Sequence, residues 1–87
     1  VYRTHVQNIG WQPWVENGAM AGTKGRSLRV EAVEIKLTGE LEKQYNIVYR
    51  THVQNIGWQP WVENGAMAGT KGRSLRVEAV QIKLEKK

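Results

Sequence analysis

The chain has 87 residues, a net charge of +5 and no cysteine, so it is one small domain or part of a larger assembly without disulfides. A chain of this length buries only about 60–65% of the surface that its unfolded form exposes, so we expect self-association to add stability. No stretch approaches the roughly 20 apolar residues of a membrane span, and no signal peptide is recognisable. Because the basic residues are scattered, we expect neither a membrane nor a nucleic-acid partner.

Most of the chain is one segment present twice. Residues 1–37 form repeat 1 and return as repeat 2, residues 48–84, with a single change of Glu34 to Gln81. Residues 38–47 are a connector and residues 85–87 a tail. Such a period is typical of architectures in which one unit cannot bury its apolar face alone. The near-identity indicates recent duplication or engineering, and we favour engineering because even the loops match.

The first predicted strand of each repeat covers residues 1–7 and 46–54, where apolar and polar side chains alternate. A turn follows at residues 8–10 and 55–57, with Gly57 free to adopt positive φ. The second strand is predicted at residues 11–16 and 58–63, with Pro60 at an edge or a bulge. Asn17-Gly18 and Asn64-Gly65 then indicate tight turns.

The third strand is predicted at residues 28–37 and 75–84, where the apolar phase changes and predicts a β-bulge near Ala79-Val80. Leu28, Ala32 and Ile35 also recur at helical spacing, but the many β-branched residues favour a strand. One short helical turn is expected in the connector. We predict that strands 28–37, 46–54 and 58–63 form one meander, and that strands 1–7, 11–16 and 75–84 are separated halves of another.

The sequence also resembles a known family, the clostridial hydrophobic repeat with conserved Trp, or ChW repeat. The resemblance rests on the copies in repeat 2 and on Tyr2-Arg3, His5-Val6-Gln7, Gly10-Trp11, Trp14, Asn17-Gly18, Ala21-Gly22-Thr23, Arg29, Glu31-Ala32, Ile35 and Leu37. It implies a secreted or cell-surface protein of a Gram-positive bacterium that contacts carbohydrate, cell wall or other proteins. The near-identity of the two copies departs from the family pattern.

Tryptophan supplies the chemistry expected of a ligand site, because indoles stack on the apolar faces of sugars. Trp11 and Trp14 are three residues apart, so on a regular strand they face opposite sides. We therefore assign Trp11 and Trp58 to the core. The predicted ligand-binding residues are Gln12, Trp14 and Glu16 with their copies Gln59, Trp61 and Glu63.

Catalysis and metal binding are not expected. The sequence has no cysteine and no aspartate, and each repeat offers one histidine, His5 or His52. Glu16 and Glu31 are consistent with surface carboxylates on strands rather than with a glycosidase pair. We predict no enzyme activity, no cofactor and no metal site.

These observations predict an all-β protein of repeated antiparallel meander sheets around a symmetry axis. The leading arrangement is a β-propeller-like ring completed by oligomerisation, most simply a trimer, and the alternatives are a threefold β-prism or β-trefoil. The leading function is a non-catalytic module that binds cell-wall or other polysaccharide. The alternative is an engineered, self-assembling scaffold with no dedicated ligand.

Overall fold

The computed structural model describes residues 1–87 and consists largely of antiparallel strands. One short helix, α1 (Glu40–Gln44), occupies the connector. The strands are β1 (Tyr2–Val6), β2 (Gly10–Trp11), β3 (Val30–Ile35), β4 (Tyr45–Val53), β5 (Gly57–Trp58), β6 (Val62–Glu63), β7 (Ala68–Gly69) and β8 (Val77–Lys86). The predictions of an all-β chain and of one helical turn between the repeats are confirmed. No helix is long and apolar enough to span a membrane.

Strand β4 shows how the alternating pattern folds. Tyr49, Thr51 and Val53 are fully buried, whereas Arg50 and His52, which alternate with them, are only partly buried. The predicted half-buried strand is therefore confirmed, because successive side chains of a strand point to opposite faces. The turn that follows is confirmed as well, with Gly57 at a φ of 90°.

The second predicted strand is interrupted. In repeat 2 it divides into β5 and β6, which lie on either side of Pro60, and in repeat 1 it divides into β2 and a single bridge from Val15 to Tyr2. Proline has no N–H for a ladder and restricts its own φ, so a continuous strand across 58–63 is wrong. The tight turn at Asn64-Gly65 is present, with φ values of 50° and 86°.

The predicted meander is wrong in its strand pairing. Strand β3 pairs with β1 of its own repeat, and β8 pairs with β4 along the whole length of β4. The first and third strands of each repeat therefore pair with each other. The second segment lies on the other edge of the first strand: β5 and β6 pair with β4 in repeat 2, and β2 and Val15 pair with β1 in repeat 1. The ladder between β4 and β8 includes Glu85 and Lys86, so most of the predicted tail belongs to the strand.

The predicted bulge occurs one residue before Ala79. His52 pairs with Ala79 but Val53 pairs with Val77, which leaves Glu78 without a partner in the ladder. The equivalent extra residue in repeat 1 is Glu31. A bulge re-aims the side chain that it carries, and both glutamates approach a histidine, as described below.

The two repeats join along a line that we call the seam. It consists of β3 of repeat 1 and β7 of repeat 2, with Ala32 opposite Gly69 and Val33 opposite Ala68. Backbone bonds extend it on both sides, from Thr70 N to Glu31 O at 3.0 Å and from Gly65 N to Ile35 O at 2.7 Å. The Ile35 N–H also donates to the Tyr49 hydroxyl at 3.1 Å.

The apolar core lies at this seam. Ile47, Tyr49 and Ala68 form its buried cluster, and four partly buried side chains from both repeats pack against it, namely Val33, Ile35, Leu37 and Val62. A Cβ on Gly69 would lie 2.5 Å from Glu31 O and 2.7 Å from Ala32 Cα. The seam therefore requires glycine at this position because the two backbones approach too closely for a side chain.

The sequence of the seam occurs a second time in the chain, without strand pairing between its two parts. The equivalents of β7 are Ala21-Gly22 in repeat 1, and the equivalent of β3 is β8, whose second edge has no strand partner. These two unpaired parts line one apolar groove of about 410 Å³, which includes Tyr2, Ala21, Val33, Ile35, Val80 and Ile82. Each sheet retains free edges, so one chain alone does not close into a barrel.

Candidate binding site

The outer face of each sheet carries a cluster of aromatic and basic side chains. Its base is a pair of opposed residues, His5 on β1 and Trp11 on β2, which face each other across the ladder. Their ring centroids are 5.3 Å apart with an interplanar angle of 84°. His52 and Trp58 repeat this edge-to-face contact at 5.3 Å and 87°. Such geometry is favourable for aromatic pairs, so it fixes the orientation of the indole.

An arginine lies over both indoles of each repeat. The Arg3 Cζ is 4.9 Å from the centroid of Trp11 and 4.6 Å from that of Trp14. The Lys36 Nζ is 4.4 Å from the centroid of Trp14. We call these four residues cluster 1. Cation–π contacts of this kind contribute about 0.5–1 kcal/mol each at exposed sites.

Cluster 2 consists of Arg50, Trp58, Trp61 and Lys83. Arg50 Cζ lies 4.7 Å and 4.6 Å from the centroids of Trp58 and Trp61, and Lys83 Nζ lies 4.5 Å from that of Trp61. The corresponding distances in the two clusters are therefore nearly equal. The indoles of cluster 2 are the more accessible, with Trp58 40% and Trp61 39% exposed, whereas Trp11 and Trp14 of cluster 1 are partly buried.

The assignment of Trp11 and Trp58 to the core is wrong. Both tryptophans of a repeat contact the same arginine and lie on the same face. Strand alternation does not extend from one indole to the next, because β5 ends at Trp58 and Pro60 interrupts the strand before Trp61. The chain changes direction at Pro60, so Trp61 lies on the same face of the sheet as Trp58.

The glutamines predicted as ligand residues have internal partners. Gln12 Oε1 accepts hydrogen bonds from Gly22 N at 2.8 Å and from Thr4 Oγ1 at 3.3 Å. Gln59 repeats both bonds with Gly69 N and Thr51 Oγ1. These carbonyl oxygens therefore hold the loop that carries Ala21-Gly22 or β7 against its own sheet.

The glutamates predicted as ligand residues form no hydrogen bond or ion pair with the clusters. Glu16 and Glu63 are exposed, and neither side chain makes an ion pair or a hydrogen bond. Of the predicted residues, only Trp14 and Trp61 enter a cluster. Arg3, Lys36 and their copies were not predicted as site residues, although alternation along β1 places Arg3 on the outer face.

The bulged glutamates complete the outer face. The His52 Nδ1 is hydrogen-bonded to Glu78 Oε1 at 3.0 Å. His5 Nδ1 lies 3.2 Å from Glu31 Oε1 without hydrogen-bond alignment, so this buried nitrogen has no partner. No three His, Cys, Asp or Glu side chains come together as a group able to hold a metal ion. The outer face thus offers guanidinium donors and accessible indoles, which suit binding.

Comparison with known families agrees with the resemblance seen in the sequence. The family model described as ChW, Clostridial hydrophobic W, matches residues 5–39 and residues 52–86. The chain belongs to the ChW family. Each match contains the two tryptophans and the lysine of one cluster, and the arginine of that cluster lies just before the match. In both matches the two tryptophans lie on the outer face of the sheet. No curated protein and no solved structure matches the chain significantly.

Proposed function

We propose that this ChW protein is a non-catalytic module that binds polysaccharide through clusters 1 and 2, one site per repeat. The observation that carries the proposal is the stacking of one arginine over two indoles in both repeats, with the indoles of repeat 2 exposed and those of repeat 1 partly buried. Indole rings contact the apolar faces of sugars, and a guanidinium offers five N–H donors to hydroxyl or acidic oxygens. A cell-wall polymer and a secreted or surface location are the corresponding expectations for the ligand and the compartment.

Two sites on one chain suit a polymer better than a single sugar. The affinity of one site for a saccharide is expected to be near the millimolar level, about −4 kcal/mol. Two sites whose spacing fits the polymer raise the avidity by about 10²–10⁴. Weak binding to short oligosaccharides and much tighter binding to long chains is therefore the expected pattern.

The test is the double substitution Trp14→Ala with Trp61→Ala, assayed on insoluble cell-wall polysaccharide by co-sedimentation. The matched control is Met20→Ala with Met67→Ala, because these exposed side chains also recur in both repeats and lie outside the clusters. We expect the tryptophan variant to lose binding while it stays folded by circular dichroism, with a lower unfolding midpoint because four cation–π contacts are lost. The control is expected to bind normally. Equal binding by the two variants contradicts the proposal.

A second candidate function, a self-assembling scaffold, is supported by the unpaired copies of the seam. Identical residues differ in burial according to whether the seam covers them. Glu31 and Ala32 are buried, whereas Glu78 and Ala79 on β8 are exposed, and Tyr49 is fully buried whereas Tyr2 is only partly so. On β8, Val80, Ile82 and Leu84 remain 46%, 53% and 50% exposed.

A second copy of the chain satisfies these surfaces by forming the seam again. Residues Ala21-Gly22 of one copy pair with Ala79-Val80 of the next, as Ala68-Gly69 pair with Ala32-Val33 inside the chain. The contact is head-to-tail, so repetition closes into a ring when the rotation per copy divides the circle. We propose such a ring, most simply a trimer, with a propeller, prism or trefoil arrangement.

Light scattering at micromolar concentration tests this assembly. The wild-type protein is expected at a multiple of 9.9 kDa. Ile82→Lys should reduce the mass to that of one chain, because it places a charge in the proposed contact between copies. Leu41→Lys on helix α1 alters a side chain of similar exposure, 49%, that belongs to no strand and should leave the mass unchanged. A monomeric wild-type protein contradicts the scaffold.

A further inference from the structure

The only residue that differs between the repeats lies beside the arginine of each cluster. In cluster 1 the Glu34 Oε1 accepts from Arg3 Nε at 2.7 Å and lies 2.7 Å from Arg3 Nη2. In cluster 2 the corresponding residue is Gln81, whose Oε1 accepts from Arg50 Nε at 2.7 Å. The neutral amide thus holds the guanidinium in the same place without neutralising it.

The other charges near cluster 2 do not replace the missing carboxylate. Lys83 Nζ lies 3.5 Å from Glu85, and both side chains are about half exposed, so water and salt screen that pair. Glu78 is engaged by His52 at 3.0 Å and by Arg76 at 3.5 Å. Arg50 therefore has no carboxylate partner, whereas Arg3 has one that is only 16% exposed.

We propose that cluster 2 is a site for the acidic group of an anionic polysaccharide, a carboxylate or a phosphate diester, and that Glu34 closes cluster 1 to the same group. This inference rests on the proposed polysaccharide-binding function and specifies its ligand class. Arg50 presents its free Nη groups, held in place by Gln81 and by two indoles. Guanidinium–oxyanion hydrogen bonds are short and strong, and they suit both carboxylate and phosphate geometry.

Sugar and acid are recognised by different parts of the cluster. The accessible surface of Trp58 and Trp61 contacts the sugar ring, while Arg50, with Lys83 nearby, contacts the acidic oxygen. In cluster 1 the carboxylate of Glu34 neutralises Arg3 and repels that oxygen. One chain therefore offers one acid-selective site and one site for neutral sugar.

Reciprocal exchange of the differing residue tests the inference. Gln81→Glu gives cluster 2 the ion pair of cluster 1, and Glu34→Gln gives cluster 1 the hydrogen bond of cluster 2. Each variant copies an arrangement that the chain already contains, so both are expected to fold. The control is Gln44→Glu, which changes the net charge equally on the exposed helix α1.

Binding is measured by calorimetry with polygalacturonic acid, with poly(glycerol phosphate) and with neutral dextran as probes. We expect Gln81→Glu to weaken binding of at least one acidic polymer by about tenfold or more, and Glu34→Gln to double the number of acidic sites. Dextran binding should not change. The difference between the two acidic polymers identifies carboxylate or phosphate as the preferred group.

Two results overturn the inference. The first is an equal effect of Gln81→Glu and Gln44→Glu on the acidic polymers, which would assign binding to net charge alone. The second is unchanged acidic binding in Gln81→Glu. Failure of the inference is separable from failure of the proposed function, because loss of dextran binding in the double tryptophan variant depends on the indoles and not on residue 81.

Discussion

The Ile35 amide of repeat 1 donates a hydrogen bond to the Tyr49 hydroxyl of repeat 2 at 3.1 Å, across the seam. The same hydroxyl donates to the carbonyl of Ala66. One side chain thus links a strand of the first repeat to a loop of the second. Tyr2 has the same sequence context but bonds only to Ala19 within its own repeat.

Tyr49→Phe is therefore expected to destabilise the fold more than Tyr2→Phe does. The first change leaves a backbone donor and a backbone acceptor at the seam without this partner, at a cost of about 1–3 kcal/mol. The second removes a single bond at a less buried position, with an expected cost of about 1 kcal/mol or less. Chemical denaturation of the two variants compares the free energies of unfolding, and equal values contradict the role assigned to the seam.

The same tyrosine predicts an alkaline limit of stability. Burial raises the pKa of Tyr49 above its ordinary value, and the carboxylate of Glu34 raises it further. In the unfolded chain the phenol ionises near pH 10, about its reference value. The stabilisation is then complete below that pH and is lost as the pH rises through the pKa of the folded state.

The free energy of unfolding should decrease as the pH rises from about 8.5 to 11. This decrease should be smaller in Tyr49→Phe, because the variant lacks the phenol that ionises. The difference between the two proteins isolates this tyrosine from the lysines that titrate over the same range. Parallel curves for wild type and Tyr49→Phe would show that Tyr49 does not link folding to pH.

A pair of glycines separates backbone strain from steric conflict. Gly22 and Gly69 have φ values of 111° and 112°, so alanine is strained equally at both. Only at Gly69 would the Cβ meet backbone atoms, at 2.5 Å and 2.7 Å, whereas at Gly22 the nearest atom is Val30 Cγ2 at 3.5 Å. We expect Gly69→Ala to cost about 1–3 kcal/mol more than Gly22→Ala in thermal denaturation. In light scattering, Gly22→Ala should additionally abolish the proposed assembly.

Removal of residues 75–87 should abolish the fold of repeat 2. Strand β4 is paired with β8 along its whole length, and its buried Tyr49, Thr51 and Val53 depend on that cover. Deletion of residues 85–87 alone removes only the end of the ladder and is the control. Circular dichroism of the longer deletion should show loss of β structure, and retention of a cooperative thermal transition would contradict the prediction.

Local structure was readable from the sequence where neighbouring residues decide it. The alternation in residues 46–54, the Asn64-Gly65 turn and the change of phase before Val80 each predicted the element that forms, the last within one residue. Pro60 was recognised as unfavourable in a strand, but its effect of dividing β5 from β6 was underestimated. The positions of the indoles follow from that division, so local spacing placed Trp58 on the wrong face of the sheet.

Strand pairing was not readable, because the two candidate partners have almost the same side chains. Strand β4 finds in β8 the residues that β3 would have offered, with Gln81 in place of Glu34. The meander predicted from the sequence was the pairing of β4 with β3 across the short connector. Shape and hydrophobicity are equal in the two arrangements, so only the three-dimensional course of the loops distinguishes them.

The duplicated third strand has a consequence for the folding route. During folding, β1 can pair with β8 and β4 with β3 in correct register, since the side chains are interchangeable at all but one position. Pairing of β1 with β8 closes a loop about three times longer than pairing with β3, which costs roughly 1 kcal/mol in chain entropy. Misassembly between repeats is a characteristic failure of repeat proteins. Refolding should therefore pass through a slow, strand-exchanged species that must open before the native pairing forms.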